Sequence, residues 1–329
     1  MLKRVLVPLD GSARAEQALP VAARLAQNVG GTVVLLRVVS IPNEFAAYVM
    51  LEPIATQSVI NATLEEARNY LKSMAGSDSL HGVHTETEVL LGQAAATILS
   101  VVDSHHIDLI VLCSHGYTGM TRWALGSVAE KVSQLAPVPV LVLREDGPIP
   151  VPPLPQEEGP LRVLLPLDGS VRAQAAIIPA AQLIAALAAP AQGALHLTRV
   201  VVLPEAAHLG QSEREAILQQ AKHYLNSLAD QMREGLLTGP IADLKLSITW
   251  SVTVDTDIAA GIIRVAEQGE DAEGTGVFGN SQVIAMATQG YSGLQWWLMG
   301  SITLRVLHAT KLPLVIVRPP DMTAKGQQI

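Results

Sequence analysis

Two groupings in this 329-residue chain combine residue types and spacings suited to holding a phosphorylated ligand, and each occurs twice. The first is Asp10-Gly11-Ser12, which returns as Asp168-Gly169-Ser170. In both copies it closes an apolar run: Val5–Ser12 and Val163–Ser170 agree at seven of eight positions. A carboxylate just past the carboxyl end of a buried strand stands on the ligand-facing edge of a parallel sheet, where it can accept hydrogen bonds from a ribose hydroxyl or an adenine amino group. The plainer alternative is a turn in which Asp and Ser bond to the backbone and start the next helix. The second grouping is a glycine loop. Gly116 and Gly119 precede Gly126-Ser127, with nine residues between Gly116 and Gly126, and the same spacing joins Gly290, Gly293 and Gly300-Ser301. Such glycines let backbone N–H groups converge on an anion, and a helix N-terminus adds partial positive charge. Ser127 can either cap a helix starting at Val128 or donate its hydroxyl to a phosphate. Arg122 lies within the first glycine loop, where it could approach a phosphate; Trp296 takes its place in the second.

Other reactive chemistries lack their signatures. No Gly-Lys-Ser/Thr follows the glycines, no Gly-x-Ser-x-Gly elbow is present, and no His-Glu-x-x-His pair occurs. His105-His106 is expected to complement a helix C-terminus, and Asp255-Thr256-Asp257 to cap the helix after it. The single cysteine, Cys113, cannot form an internal disulfide and reads as small filler at a strand end. A net charge of −8, with only two Phe and five Tyr, argues against nucleic-acid binding. The most apolar stretch, around 175–190, is interrupted by Pro179 and Gln182 and reads as a buried helix, not a membrane span. With no basic segment leading into an apolar one at Met1, a cytoplasmic protein is expected.

The elements that must position these residues alternate. Strands are predicted at Arg4–Leu9, Thr32–Val39, Val83–Leu90, Asp108–Cys113 and Val138–Leu143. Helices are predicted at 13–28, 56–74, 94–104 and 128–136. The alternation implies parallel sheets with right-handed crossovers. A second copy follows at an offset of 158 residues at Val5/Val163, growing to 174 at Gly116/Gly290. Part of that growth is a Gly-, Glu- and Asp-rich segment at 269–280, expected to be a surface loop between a helix (258–268) and a strand (282–287). Six prolines between 148 and 160 mark a stiff linker, so the expected organisation is a domain at 1–144, a linker at 145–160, a second domain at 161–319 and a frayed tail at 320–329.

The stretch Gly116–Val132 running into Pro137–Leu143, together with Val5–Ser12, resembles the universal stress protein family, and the likeness covers both halves. The resemblance implies an α/β fold with two tandem doubly wound domains. Each would be a five-stranded parallel sheet of order 3-2-1-4-5, with ATP or a related adenine nucleotide beside strands 1 and 4 and any Mg2+ held by the phosphates. The family's ATP-binding pattern Gly-x-x-Gly-x9-Gly-Ser/Thr is met from its second glycine onward; Cys113 and Ala287 stand at the first. By the same resemblance Pro8, Leu9 and Asp10 would line the adenosine, Val38 would reach the base through its backbone, and Gly116, Gly119, Gly126, Ser127 and Val128 would cradle ribose and phosphates. The second-copy counterparts are Pro166, Leu167, Asp168, Val200, Gly290, Gly293, Gly300, Ser301 and Ile302. ATP would act as a regulatory ligand, with slow hydrolysis at most, and a protein partner in stress signalling is possible. The rival class is a pseudo-dimeric scaffold for a protein or another small ligand. An adenylating enzyme is disfavoured, because neither His-x-Gly-His nor Ser-Gly-Gly-x-Asp-Ser occurs. In the family the final strands pair between subunits. Val138–Leu143 and Leu314–Val317 are therefore expected to pair within the chain as an internal pseudo-dimer; separated halves that stay monomeric and do not associate would rule this out.

Overall fold

In a computed structural model of the chain, residues 2–40, 53–114, 125–145, 147–151, 159–203, 210–235, 244–272, 276–289 and 299–320 are described. The chain divides into two compact units, Met1–Glu145 and Asp146–Ile329.

The first unit runs β1 (Arg4–Pro8), α1 (Ala13–Glu16), α2 (Ala18–Val29), β2 (Thr32–Val39), α3 (Pro53–Ala75), β3 (His84–Leu91), α4 (Ala94–Ser104), β4 (Leu109–Cys113), α5 (Ser127–Leu135) and β5 (Val140–Leu143). All pairings are parallel, in the order β3-β2-β1-β4-β5. The inner strands are apolar because helices cover both faces: Val5, Leu6, Val7, Leu35, Leu36, Ile110 and Val111 are fully buried. β3 pairs only with β2 within its unit and keeps the alternating polar pattern of an edge strand. The expected long helix at 13–28 is two helices, split at Gln17. It stops as expected at Gly30, whose φ of 61° closes the helix in the left-handed region.

The second unit repeats the plan: β6 (Arg162–Pro166), α6 (Val171–Gln174), α7 (Ile177–Ala188), β7 (Ala194–Val201), α8 (Gln211–Arg233), β8 (Ser247–Val254), α9 (Ile258–Gln268), β9 (Glu270–Ala272), β10 (Gly276–Phe278), β11 (Val283–Ala287), α10 (Ser301–Ala309) and β12 (Leu314–Val317). Its order, β8-β7-β6-β11-β12, is again 3-2-1-4-5. The segment expected to be a loop at 269–280 instead contains an antiparallel ribbon, β9 with β10, in register from Glu270↔Phe278 to Ala272↔Gly276. Where the first unit has Val34 and Leu36 at matching strand positions, the second has His196 and Thr198. His196 is fully buried and bonded to Thr249 Oγ1 (2.7 Å) and Ser251 Oγ (2.9 Å). Ser251 Oγ in turn donates to Glu270 of the ribbon at 3.2 Å.

Candidate functional site

β1 ends at Pro8, and the chain turns through Leu9-Asp10-Gly11-Ser12 into α1. Asp10 Oδ1 accepts from the Ser12 N–H (3.0 Å) and hydroxyl (2.6 Å), and Ser12 Oγ accepts from Ala15 N–H at 3.2 Å. The second copy reproduces this at 2.9, 2.6 and 3.1 Å with Asp168, Ser170 and Ala173. The turn-and-cap reading is therefore observed in both copies. It occupies Oδ1 and leaves the turn at the carboxyl edge of the sheet, with Asp10 half-buried and Asp168 exposed. Leu9 and Leu167 are each 3% exposed, so their side chains belong to the core beneath the turn.

Val38 and Val200 lie past the point where the neighbouring strand ends. β1–β2 register stops at Pro8↔Leu36, and Leu9 N–H still reaches Leu36 O at 2.8 Å. Backbone groups alternate sides along a strand, so the N–H and C=O of Val38 face the β1 side, above the Asp10 turn. Leu167 N–H to Thr198 O, also 2.8 Å, sets the same arrangement for Val200.

Gly116, Gly119, Arg122, Gly290 and Gly293 lie outside the described residues, as do Trp296 and Trp297. The end of each glycine loop is described. Gly126 N–H donates to Ser114 O (2.8 Å) and Gly300 N–H to Thr288 O (2.5 Å), tying each loop's end back to the strand it left. Ser127 does not cap α5. Gly126 is the N-cap residue, with no side-chain capping bond, and Ser127 is the first helical residue. Gly300 and Ser301 repeat this in α10. The first N–H groups of both helices thus lack a side-chain cap, and the exposed Ser127 and Ser301 stand beside them. A Cβ on Gly300 would stand 3.1 Å from Thr288 O, so a side chain there would crowd the strand end. Val128 is 38% exposed and Ile302 half-buried, both next to the helix start. Cys113, at the position of the pattern's first glycine, has its thiol pushed up to about 12, by burial foremost and then by the nearby Asp10 carboxylate; it stays protonated and unreactive.

One pair of contacts at this edge was not anticipated from sequence. The Arg37 guanidinium lies 5.8 Å from the Tyr70 ring centroid and donates to Leu9 O at 3.3 Å, while Tyr70 OH donates to Glu16 Oε1 at 2.9 Å. Arg199 lies 5.7 Å from the Tyr224 ring, whose hydroxyl accepts from Gln174 Nε2 at 3.2 Å. Burial, foremost, raises the pKa of both phenols, with Glu16 adding to the effect on Tyr70. The signal was available: each copy carries one arginine in an otherwise uncharged strand, Leu-Leu-Arg-Val-Val and Leu-Thr-Arg-Val-Val.

The side candidates settle as structural groups. His105 is the C-cap of α4, its Nε2 2.5 Å from Glu88. Asp257 caps α9 through Ala260 N–H (2.8 Å) and pairs with Arg305, and Asp255 Oδ1 accepts from Asp257 N–H at 3.2 Å. No cluster of metal-binding side chains occurs among the described residues.

The sequence profile described as the universal stress protein family matches residues 1–144 and 161–318. A universal stress protein of Methanocaldococcus jannaschii is 32% identical over 146 residues, covering 44% of this chain and 84% of its own. The universal stress protein YxiE of Bacillus subtilis is 30% identical over 148 residues, covering 44% of this chain and all of its own. Among solved structures, a universal stress protein from Archaeoglobus fulgidus superposes with a TM-score of 0.60 at 18% identity, covering 98% of both chains.

Proposed function

The chain belongs to the universal stress protein family, and from that premise we propose that each copy binds ATP or a related adenine nucleotide as a regulatory ligand in a cytoplasmic stress response. The observation that carries the reading is the repeated juxtaposition, at one sheet edge, of an Asp-Gly-Ser turn and a helix start whose N-cap is glycine. Asp10 and Asp168 suit the ribose hydroxyls or the adenine amino group, and the backbones of Val38 and Val200 suit the base. Gly126-Ser127 and Gly300-Ser301 supply N–H groups, a hydroxyl and the positive end of a helix dipole for phosphates. Gly116, Gly119, Gly290 and Gly293 would complete the cradle, and Mg2+ would travel with the phosphates. ATP serves here as a conformational signal; the chemistry assigned to these residues is binding. The first copy is proposed to bind more tightly, because Arg122 brings a cation where Trp296 brings bulk.

The test is to denature the purified chain, identify any released nucleotide by mass spectrometry, and titrate the nucleotide-free protein with ATP and adenosine. Retained adenine nucleotide, or saturable binding of ATP, supports the reading. The absence of both retained nucleotide and saturable binding overturns it in favour of a scaffold for another ligand.

A further inference from the structure

The arginine–tyrosine pair is repeated in both copies, although its members come from elements far apart in sequence. In the first unit Arg37 lies near the end of β2 and Tyr70 on α3; in the second, Arg199 lies near the end of β7 and Tyr224 on α8. Each guanidinium sits directly beneath the Asp-Gly-Ser turn. A Cβ on Gly11 would lie 3.2 Å from Arg37 Nη1, and one on Gly169 would lie 3.3 Å from Arg199 Nη1. The φ angles of those glycines, +84° and +93°, also fall where L side chains strain the backbone. Glycine therefore serves the turn twice, by its conformation and by leaving room for the arginine.

We infer that Arg37 and Arg199 are positioning residues for the two nucleotide sites, each seated on a tyrosine face and bracing the turn that presents Asp10 or Asp168 to the adenosine half of the ligand. This rests on the nucleotide reading above. Arg37 reaches the turn itself through Leu9 O, at 3.3 Å. Leu9 N–H is fixed to Leu36 O on the same strand that carries Arg37, so both backbone groups of Leu9 are anchored to β2. The ring gives the cation a partner that, unlike a carboxylate, would not add negative charge beside Asp10. Being planar, the guanidinium can lie on the ring and still direct an N–H at a carbonyl, a combination that a lysine ammonium lacks.

The experiment compares full-length wild type with the R37M/R199M, R37K/R199K, Y70F/Y224F and Y70L/Y224L double variants, titrated calorimetrically with ATP and with adenosine. R37M/R199M is expected to weaken both ligands about tenfold, leaving the ratio of the two affinities within about twofold of wild type. The lysine variant should fall less. Y70F/Y224F keeps the ring face and should bind as wild type, whereas Y70L/Y224L should behave like the methionine variant. Circular dichroism and melting temperature identify folded variants. If the methionine variant does not fold, the phenylalanine and leucine pair decides the matter. Three results overturn the inference: folded arginine variants with wild-type affinity, equal binding by the phenylalanine and leucine variants, or a loss confined to ATP, which would make the arginine a direct phosphate contact. In each of these the wild type still binds nucleotide. A wild type that binds neither ligand overturns the nucleotide reading itself, and this inference with it.

Discussion

Ser127 separates ligand recognition from helix capping more cleanly than its sequence context suggests. It makes no capping bond, so Ser127→Ala should leave the melting temperature nearly unchanged. If its hydroxyl donates to a phosphate, the charge-assisted bond contributes about 1.5–3 kcal/mol. ATP affinity should then fall on the order of tenfold or more, with adenosine affinity nearly constant. Gly126 sharpens the test. Its φ of −61° is open to any residue, so Gly126→Val meets no strain in φ, and an unchanged melting temperature would show that the bond to Ser114 O tolerates the side chain. A larger loss of ATP affinity than in Ser127→Ala would then report blocked approach to the helix start. Titration of both variants with both ligands checks the pair; unchanged ATP affinity in both would move phosphate recognition elsewhere. His196 makes a different residue-scale prediction. Burial foremost, with Arg162 adding to it, lowers its pKa from the usual imidazole value of about 6.5 to about 3. The folded state therefore holds His196 neutral while the unfolded state takes up a proton below about pH 6.5. Its contribution to stability is complete above that pH and is lost as pH falls toward 3, at roughly 1.4 kcal/mol per pH unit. Urea unfolding at pH 7 and pH 5 should show this loss in wild type and a flatter profile in His196→Gln; equal pH slopes would refute it.

At the scale of elements, regular pieces were legible where periodicity and end signals agreed. Thr32–Val39, Ala94–Ser104 and Ile258–Gln268 form over the expected residues, because each has one unbroken apolar pattern between clear stops. The start of α3 was missed by three residues. Pro53 begins it, in keeping with proline's preset φ and missing N–H at a helix start. Side-chain preference favours serine over the preceding glycine as a cap, whereas the first intrahelical bond, from Glu130 N–H to Gly126 O at 2.9 Å, places the cap one residue earlier. The pairing of Arg37 with Tyr70 depends on how α3 crosses β2, and local pattern does not specify that crossing. The β9–β10 ribbon was hidden by its composition: a run rich in Gly, Glu and Asp reads as a turn, and only pairing makes it a strand. Glu270 at its start accepts from Ser251, which holds His196. Replacing residues 270–278 with a Gly-Ser linker should therefore destabilise the second unit by about 1–3 kcal/mol, through the unpaired polar groups left behind. Amide hydrogen exchange should then quicken in β7 and β8 and stay unchanged in β1 and β2; equal exchange everywhere would show the ribbon to be dispensable.

For the molecule as a whole, duplication predicts two nucleotides per chain at saturation. Calorimetry with one site disabled at a time, by Gly126→Val or Gly300→Val, should rank the first copy tighter, and equal constants would remove the role given to Arg122. The twofold match to one family was legible from two short repeated segments, since Pro-Leu-Asp-Gly-Ser and the glycine spacing recur in both copies, and Gly11 and Gly169 hold the positive φ that their turn requires. What differs between the copies lies inside them. Among the described residues of the first unit no histidine is buried, while the second unit encloses His196. Mild acid is therefore expected to lower the stability of the second unit more than that of the first. Limited proteolysis near pH 5 should digest the second unit first and leave a fragment about the length of the relatives that match one copy, so that acid would turn a tandem chain into a single unit carrying only the first proposed site; digestion of both units at the same rate would refute this.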